Sequence, residues 1–281
     1  ARGMDYVGEK AEELIGPGLG LGTPKPSEYT ETRSFIDRYP AAPGVLVSIS
    51  NKFGEIRVNT WEDRVVQVIA EIEVGAQSPT IAAEVAGNID INVSATEEVA
   101  EISTYLPDTR RDMGIGSITG NYTIMIPRAA SLTTDNFFGD TIIEGVSGLV
   151  VVEAQYGMVD LSGLSGPVKV RTHGEFPLIA RNLAQGGVFD LHGAKAEFSG
   201  IGGEINVNNF RGSVLVRSFA AQAVLDIVSD LGPIHVMTPP GAEPDLTVTV
   251  FDGELISDLP VNRTRLGKRL VARGVNENAA Q

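Results

Sequence analysis

One short word recurs along this chain and constrains its fold more than any other feature. In most copies an aromatic, charged or apolar residue precedes a glycine, and apolar residues then alternate with polar ones, as in NKFGEIRV from Asn51. A near-constant period is typical of stacked repeats, in which each unit buries its apolar face against its neighbours. The glycines of the array lie 17 to 21 residues apart, at Gly139, Gly157, Gly174, Gly193, Gly212, Gly232 and Gly253.

Between these glycines the residues alternate between apolar and polar. Val150 and Val152 precede Gly157, and Val159 and Leu161 follow it. Alternation in short runs bounded by glycine indicates strands with one buried face. We therefore predict an all-β, single-domain β-solenoid of two-strand coils, about 18 to 20 residues each, with the glycines at corners where φ can be positive. The alternative is a sandwich with hairpin turns, which would not require a constant period.

The regions outside the array differ in composition. Residues 1–44 are rich in Gly and Pro and predict an extended arm or linker, and residues 45–260 form the predicted solenoid domain. An irregular insert at 76–126 interrupts it. The segment SPTIAAEVAG at 78–87 predicts a short helix, because a serine cap is followed by proline at the first helical position. Residues 261–281 form a predicted basic tail.

Composition excludes some partners and leaves others open. The net charge of −14 repels phosphate backbones and anionic headgroups, so we expect neither nucleic acid binding nor membrane insertion. The chain contains no cysteine, which excludes disulfides and thiolate metal sites. The start at Ala1 fits removal of a secretory signal peptide, and we expect an exported protein of the extracellular space or cell envelope.

The order of the segments resembles a known family. NKFGEIRVNTWED at 51–63, a helix-containing insert, YTIMIP at 122–127 and glycine-ended repeats are similar to the bacterial putative-adhesin or DUF4097-type β-solenoid proteins, over roughly residues 44–260. Here the residue before glycine is often aromatic or basic, whereas the family usually has Asn-Gly-Asp. The resemblance implies an exported or envelope-associated bacterial protein with no common catalytic activity, and it supplies no catalytic residues.

Two histidines are the candidates for a metal site. His173 and His192 each stand before a corner glycine in successive repeats, so we expect them about 4.8 Å apart, with Glu175 and Asp190 nearby. A stacked ladder of flat side chains explains the same pattern more simply. That predicted ladder contains Phe138, Tyr156, His173, His192 and Arg211.

The sequence offers little sign of catalysis or of a cofactor. Enzymes that act on acidic polysaccharides need clustered carboxylates, whereas the acids here lie on both sides of the corner and suit a solvated face. They are Asp140, Glu153, Asp160, Glu175, Asp190 and Glu197. The segment GPGLGLG has no phosphate-binding Lys-Ser/Thr, and no calcium-binding repeat is present. We expect no catalytic residue and no cofactor.

Two functions remain after these exclusions. The first is a non-enzymatic structural or adhesin-like protein that self-assembles head to tail, as a homo-oligomer or filament, through its N-terminal arm and its solenoid ends. Candidate assembly residues are Arg263, Arg265, Lys268, Arg269 and Arg273. The second is a carbohydrate-binding or polysaccharide-acting module that contacts a cell surface or a glycan through the flat side of the solenoid. Its candidate sugar-contacting residues are Phe138, Tyr156, Phe210 and Phe219.

Overall fold

The computed structural model describes residues 28–106, 114–237, 245–258 and 261–274. They form two compact units, the first ending at Ile142 and the second beginning at Ile143. Strands make up 68% of the structure, and the described residues contain a single helix. The all-β prediction is therefore confirmed.

The first unit contains one helix and the strands β1 to β8. Their bounds are β1 Tyr29–Pro40, β2 Leu46–Phe53, β3 Ile56–Trp61, β4 Val65–Ala76, α1 Pro79–Gly87, β5 Asp90–Ala95, β6 Val99–Tyr105, β7 Ile115–Pro127 and β8 Ser131–Phe138. Strand β9, Thr141–Glu144, contains the boundary between the units. Within the first unit the strands pair in the orders β1-β4-β7-β3 and β8-β2-β6-β5.

The predicted arm forms part of a sheet over residues 29–40. Strand β1 pairs antiparallel with β4 along its whole length, from Tyr29 opposite Ala76 to Pro40 opposite Val65. Arg33 fastens this strand to the end of the helix, since its Nη1 atom donates to the carbonyl oxygens of Ala86 and Ile89 at 2.5 and 3.1 Å. The arm prediction for residues 1–27 lies outside the described residues.

The predicted helix is confirmed as α1. The Ser78 side chain caps it by accepting a hydrogen bond from the Ile81 backbone N–H, and Pro79 occupies the first turn. Its buried residues Val85 and Ala86 pack in one cluster with Ile72 and Val74 of β4. Tertiary packing of this apolar side stabilises a helix too short to persist alone.

The second unit contains the coils. Its strands are β10 Val150–Gln155, β11 Val159–Ser162, β12 Val168–His173, β13 Pro177–Leu183, β14 Gly186–His192, β15 Lys195–Ile201, β16 Glu204–Phe210, β17 Ser213–Val216, β18 Val224–Asp230, β19 Ile234–Val236, β20 Asp245–Phe251, β21 Leu255–Ser257, β22 Val261–Leu266 and β23 Arg269–Gly274. Coils of about 19 residues stack in parallel, and the β-solenoid has about six turns.

Register between coils is regular, and this builds the core of the second unit. Even-numbered strands from β10 to β20 form one sheet, and odd-numbered strands from β11 to β21 form the other. Inward columns run through the coils, for example Val152, Val170 and Phe189 on successive even-numbered strands. Phe189 meets Phe198 of the other sheet edge to face, with ring centroids 4.8 Å apart. Stacking thus buries the apolar face that no coil could bury alone.

The predicted basic tail is a β-hairpin over residues 261–274. Strand β23 pairs antiparallel with β20, and β22 pairs antiparallel with β23 as the edge strand of its sheet. The hairpin covers one strand of the last coil, because β23 pairs with the backbone of β20. Among the described residues, the other strand of that coil, β21, ends its own sheet. The rest of the predicted tail, residues 275–281, lies outside the described part.

Candidate functional site

The predicted ladder is a column of different membership in the second unit. The register links Gln155, His173, His192, Phe210, Asp230, Phe251 and Arg269 as successive partners, and we name this set the corner column. The imidazole rings of His173 and His192 stack with centroids 4.8 Å apart and planes 4° apart. The His192 and Phe210 rings are tilted and 6.1 Å apart.

Tyr156 and Arg211 lie one residue beyond the corner column. The backbone N–H of Tyr156 donates to the His173 carbonyl oxygen, as the N–H of Gly174 does to that of His192. Tyr156 thus occupies the same corner position as Gly174, and its φ is +52°. Alignment of the repeats by their glycines places Tyr156 and Arg211 in the ladder, whereas the register of the strands places them one residue beyond it.

The corner glycines therefore occupy two different positions. Gly139, Gly174 and Gly193 have positive φ themselves. Gly157, Gly212, Gly232 and Gly253 instead follow a non-glycine residue of positive φ: Tyr156, Arg211, Leu231 and Asp252, respectively. In three of these four, space explains the glycine. A Cβ atom at Gly212, Gly232 or Gly253 would lie 2.5 Å or less from a carbonyl oxygen of the preceding coil.

Phe138 belongs to the first unit, where its ring stacks on that of Phe53. Phe53 and Phe138 are register partners, and their rings are parallel within 2° with centroids 5.5 Å apart. Gly54 and Gly139 follow them, and both have positive φ. The repeated word at Asn51 therefore marks the same kind of corner as the word at Asp135.

A buried polar residue three positions before the corner glycine was missed in the sequence. Asn136 is fully buried, and its Nδ2 atom donates within 3.1 Å of the carbonyl oxygens of Gly54, Gly139 and Asp140. Asn51 holds the preceding corner in the same way through the Gly120 carbonyl oxygen. The signal was present, because NKFG, NFFG and NFRG share an asparagine three residues before glycine.

The candidate acids form ion pairs on the outer faces of the coils instead of converging. Arg181 donates to both oxygens of Asp160 at 2.6 and 2.8 Å. Arg217 donates to both carboxylate oxygens of Glu197. This hydrogen bonding, together with the positive charge of Arg217, lowers the pKa of the Glu197 carboxyl. Such exposed pairs add little to stability.

A third group of charges runs along the other sheet. Arg171 lies between Glu153 and Asp190, at 3.5 and 3.6 Å. Asp190 is therefore engaged with an arginine on the face where it was expected to assist the two histidines. Asp140 and Glu175, the remaining candidate acids, also have interaction partners.

Metal-ligating side chains do not cluster in the described part of the chain. No group of three or more His, Cys, Asp or Glu residues there could hold a metal ion. The rings of His173 and His192 stack on each other without forming part of such a group in the described residues. His235 lies on the other sheet, where its register partners are Leu215 and Ile256.

The predicted assembly residues surround the edge strand β22. Arg263 lies opposite the buried Ala272 and Arg265 opposite the buried Leu270, so both arginines share the face of these two residues while being exposed themselves. Lys268 pairs with Asp252 at 2.6 Å. Charged side chains on an edge strand discourage the addition of ordinary apolar strands.

The two outward basic residues of the hairpin make different contacts. The guanidinium of Arg269 lies 5.5 Å from the centre of the Phe251 ring. Arg273 is opposite Thr247 of β20. An open cleft of about 310 Å³ lies beside the hairpin turn and is lined by Asp252, Gly253, Arg265, Gly267 and Lys268.

The aromatic residues proposed for sugar binding differ in exposure. Phe219 is only 6% exposed, so its ring offers no face to a sugar. Phe210 is 39% exposed, and the guanidinium of Arg211 lies 5.2 Å from the centre of its ring.

Comparisons with known proteins give structural neighbours only. No family model matches the chain, and no curated protein matches it. A putative adhesin of Bacteroides fragilis aligns with 83% of this chain and 95% of its own, at 12% identity and a TM-score of 0.39. A putative adhesin of Parabacteroides distasonis aligns over 80% and 97%, at 10% identity and 0.40.

A third neighbour is a putative cell adhesion protein of Clostridium sporogenes. It covers 86% of this chain and 87% of its own, at 10% identity and a TM-score of 0.28. Among the described residues, no helix is long and apolar enough to cross a membrane.

Proposed function

We propose that this chain is a non-enzymatic, exported, adhesin-like structural protein that binds macromolecules through the flat faces of its coils. The observation that carries the proposal is the straight register of outward side chains. Lys169, Val188, Asn206, Asp226 and Thr247 follow one another on successive strands of one sheet. With a strand spacing of about 4.8 Å, such columns present a rigid, periodic surface to an extended partner.

The arrangement of the acids supports a binding role over catalysis. General acid and base pairs of glycosidases face each other across about 5 to 10 Å with a cleft between them. Here Asp160 and Glu197 are each bound by their own arginine on an outer face. Ion pairs of this kind keep an exposed sheet soluble and give it a charge pattern that a partner can recognise.

The expected export of the chain is supported by the resemblance of its sequence to a family of exported bacterial proteins. Self-assembly stays a prediction, and two features weigh against the routes foreseen for it. Strand β1 pairs within its own chain, and two of the predicted assembly residues, Lys268 and Arg269, contact Asp252 and Phe251 of the same chain. We therefore propose that a single chain is the binding unit.

The experiment exposes the purified chain to defined surfaces. Fibronectin, collagen, pectin, alginate and chitin are immobilised, and retention is measured by biolayer interferometry. Reducing ends and unsaturated sugars released from the polysaccharides are measured in parallel. We expect saturable binding to at least one surface without release of product. Release of sugar ends in proportion to protein would contradict the proposal, as would the absence of binding to every surface.

A further inference from the structure

The hairpin β22–β23 is a basic element in an acidic protein. Residues 261–274 contain five Lys and Arg residues and no Asp or Glu, whereas the whole chain carries a net charge of −14. Lys268 and Arg269 contact Asp252 and Phe251. Arg263, Arg265 and Arg273 are exposed. This concentration of positive charge attracts an anionic partner.

Strand β22 is also an edge strand. Among the described residues it pairs with β23 alone and ends its sheet, so its other side offers backbone N–H and C=O groups within that part of the chain. Backbone groups of this kind are satisfied when an extended peptide adds as a further strand. A polysaccharide or nucleic acid has no matching backbone pattern.

Two arginines of β22 restrict which strand can be added. Arg263 and Arg265 alternate along β22 on the side of the buried Ala272 and Leu270. Both arginines are exposed, so an apolar side chain opposite either one would displace water from its charge without supplying a counter-ion, which is unfavourable. An Asp or Glu at the same positions would instead form a cross-strand pair, with Cβ atoms about 4.5 to 5.5 Å apart.

We propose that the free edge of β22 binds an extended acidic polypeptide whose carboxylates alternate with a two-residue spacing to meet Arg263 and Arg265. The arginines then act as a filter that rejects apolar strands and accepts acidic ones. The inference depends on the hairpin alone, and it would stand if the coil faces proved inactive.

The test uses peptides of fixed composition with the full chain. The first alternates valine and glutamate over ten residues, the second has the same residues in two blocks, and the third replaces glutamate by glutamine. We expect fluorescence anisotropy to show at least about 10-fold tighter binding of the alternating acidic peptide. Hydrogen exchange should slow at the amides of residues 261–266 when this peptide binds.

Paired variants separate position from charge. The double variant Arg263→Gln/Arg265→Gln and the matched variant Arg269→Gln/Arg273→Gln remove two positive charges each from the same hairpin. We expect the first to weaken binding of the alternating peptide about 10-fold or more, and the second to weaken it about 2- to 3-fold through the loss of general attraction.

Three results would overturn the inference. Equal affinity for the alternating and block peptides, or for dextran sulfate, would show attraction to any polyanion. Self-association of the unliganded wild-type chain through β22 in light scattering would identify a second copy as the partner. The third result is that no peptide binds and that only the Arg263→Gln/Arg265→Gln variant self-associates. In that case the arginines serve to prevent strand addition at this edge and do not recruit an acidic partner.

Discussion

Gly232 and Gly212 meet so closely in adjacent coils that a Cβ atom on Gly232 would lie 1.6 Å from the carbonyl oxygen of Gly212. The obstructing atom belongs to the backbone and cannot rotate away. We expect Gly232→Ala to lower the free energy of unfolding by about 3 kcal/mol or more, since the coils must separate. Thermal and urea unfolding measure the effect. Gly44→Ala is the matched control, because its Cβ would have no neighbour within 4 Å. Equal losses in both variants would contradict the close stacking of coils.

Asn136 and Asn209 are both buried inward residues before a corner, and they differ in their hydrogen bonds. Asn136 Nδ2 contacts three carbonyl oxygens, whereas neither polar atom of the Asn209 side chain has a hydrogen-bond partner. Removing a donor that satisfies buried carbonyls costs about 1 to 3 kcal/mol. We expect Asn136→Ala to destabilise the chain by about that amount and Asn209→Ala to cost less, as measured by urea unfolding. A larger loss for Asn209→Ala would show that its amide is satisfied in solution.

Tyr39 makes stability sensitive to alkaline pH. Its Oη atom donates to Asp37 Oδ2 at 2.9 Å, and burial, this bond and the charge of Asp37 raise the pKa of Tyr39 to about 12. The fold favours the neutral phenol, so its contribution is complete below the unfolded pKa of about 10 and disappears as pH rises to about 12. The stability difference between wild type and Tyr39→Phe should therefore shrink over that interval in unfolding measurements. A constant difference would contradict the coupling to Asp37.

Removal of β1 tests whether the arm serves its own chain. A form beginning at Pro43 lacks β1, one of the two partners of β4, and β4 carries a row of buried apolar residues that includes Val66, Val68 and Ile72. An unprotected edge with an apolar inward side invites strand addition. We expect light scattering to give a monomer mass for the full chain and larger species for the shortened one. If the full chain assembles and the shortened form is a monomer, the N-terminal arm joins one copy of the chain to another instead.

The sequence predicted the repeat well because strand alternation and the 17- to 21-residue spacing are local and redundant. The helix was also predictable, since Ser78 and Pro79 mark its start. The corner register was not predictable from the glycines, because Tyr156 and Arg211 adopt positive φ where Gly174 and Gly193 stand in other coils. At Gly212, Gly232 and Gly253 the glycine is required instead by the nearby carbonyl oxygen of the preceding coil, a contact that the local sequence does not reveal.

The site was predicted less well than the fold. The stacked pair His173 and His192 follows from their identical place in two repeats. The sequence predicts a basic tail where residues 261–274 form a hairpin. The many arginines there obscure the alternation of buried Leu270 and Ala272 with exposed residues on β23. An edge strand with many charges has the composition of a solvated segment, so composition alone cannot identify it.

The most direct test of a face-binding role compares two charge-reversed faces. Lys169→Glu/Arg171→Glu alters the face of the even-numbered strands, and Arg181→Glu/Arg217→Glu alters the face of the odd-numbered strands. Both change the net charge equally, and thermal unfolding verifies that each variant is folded. Binding to the surface that retains wild type most strongly is measured by interferometry. The account predicts that one variant loses about 10-fold or more in affinity while the other stays within about 2- to 3-fold. Equal affinity of wild type and both variants would contradict it.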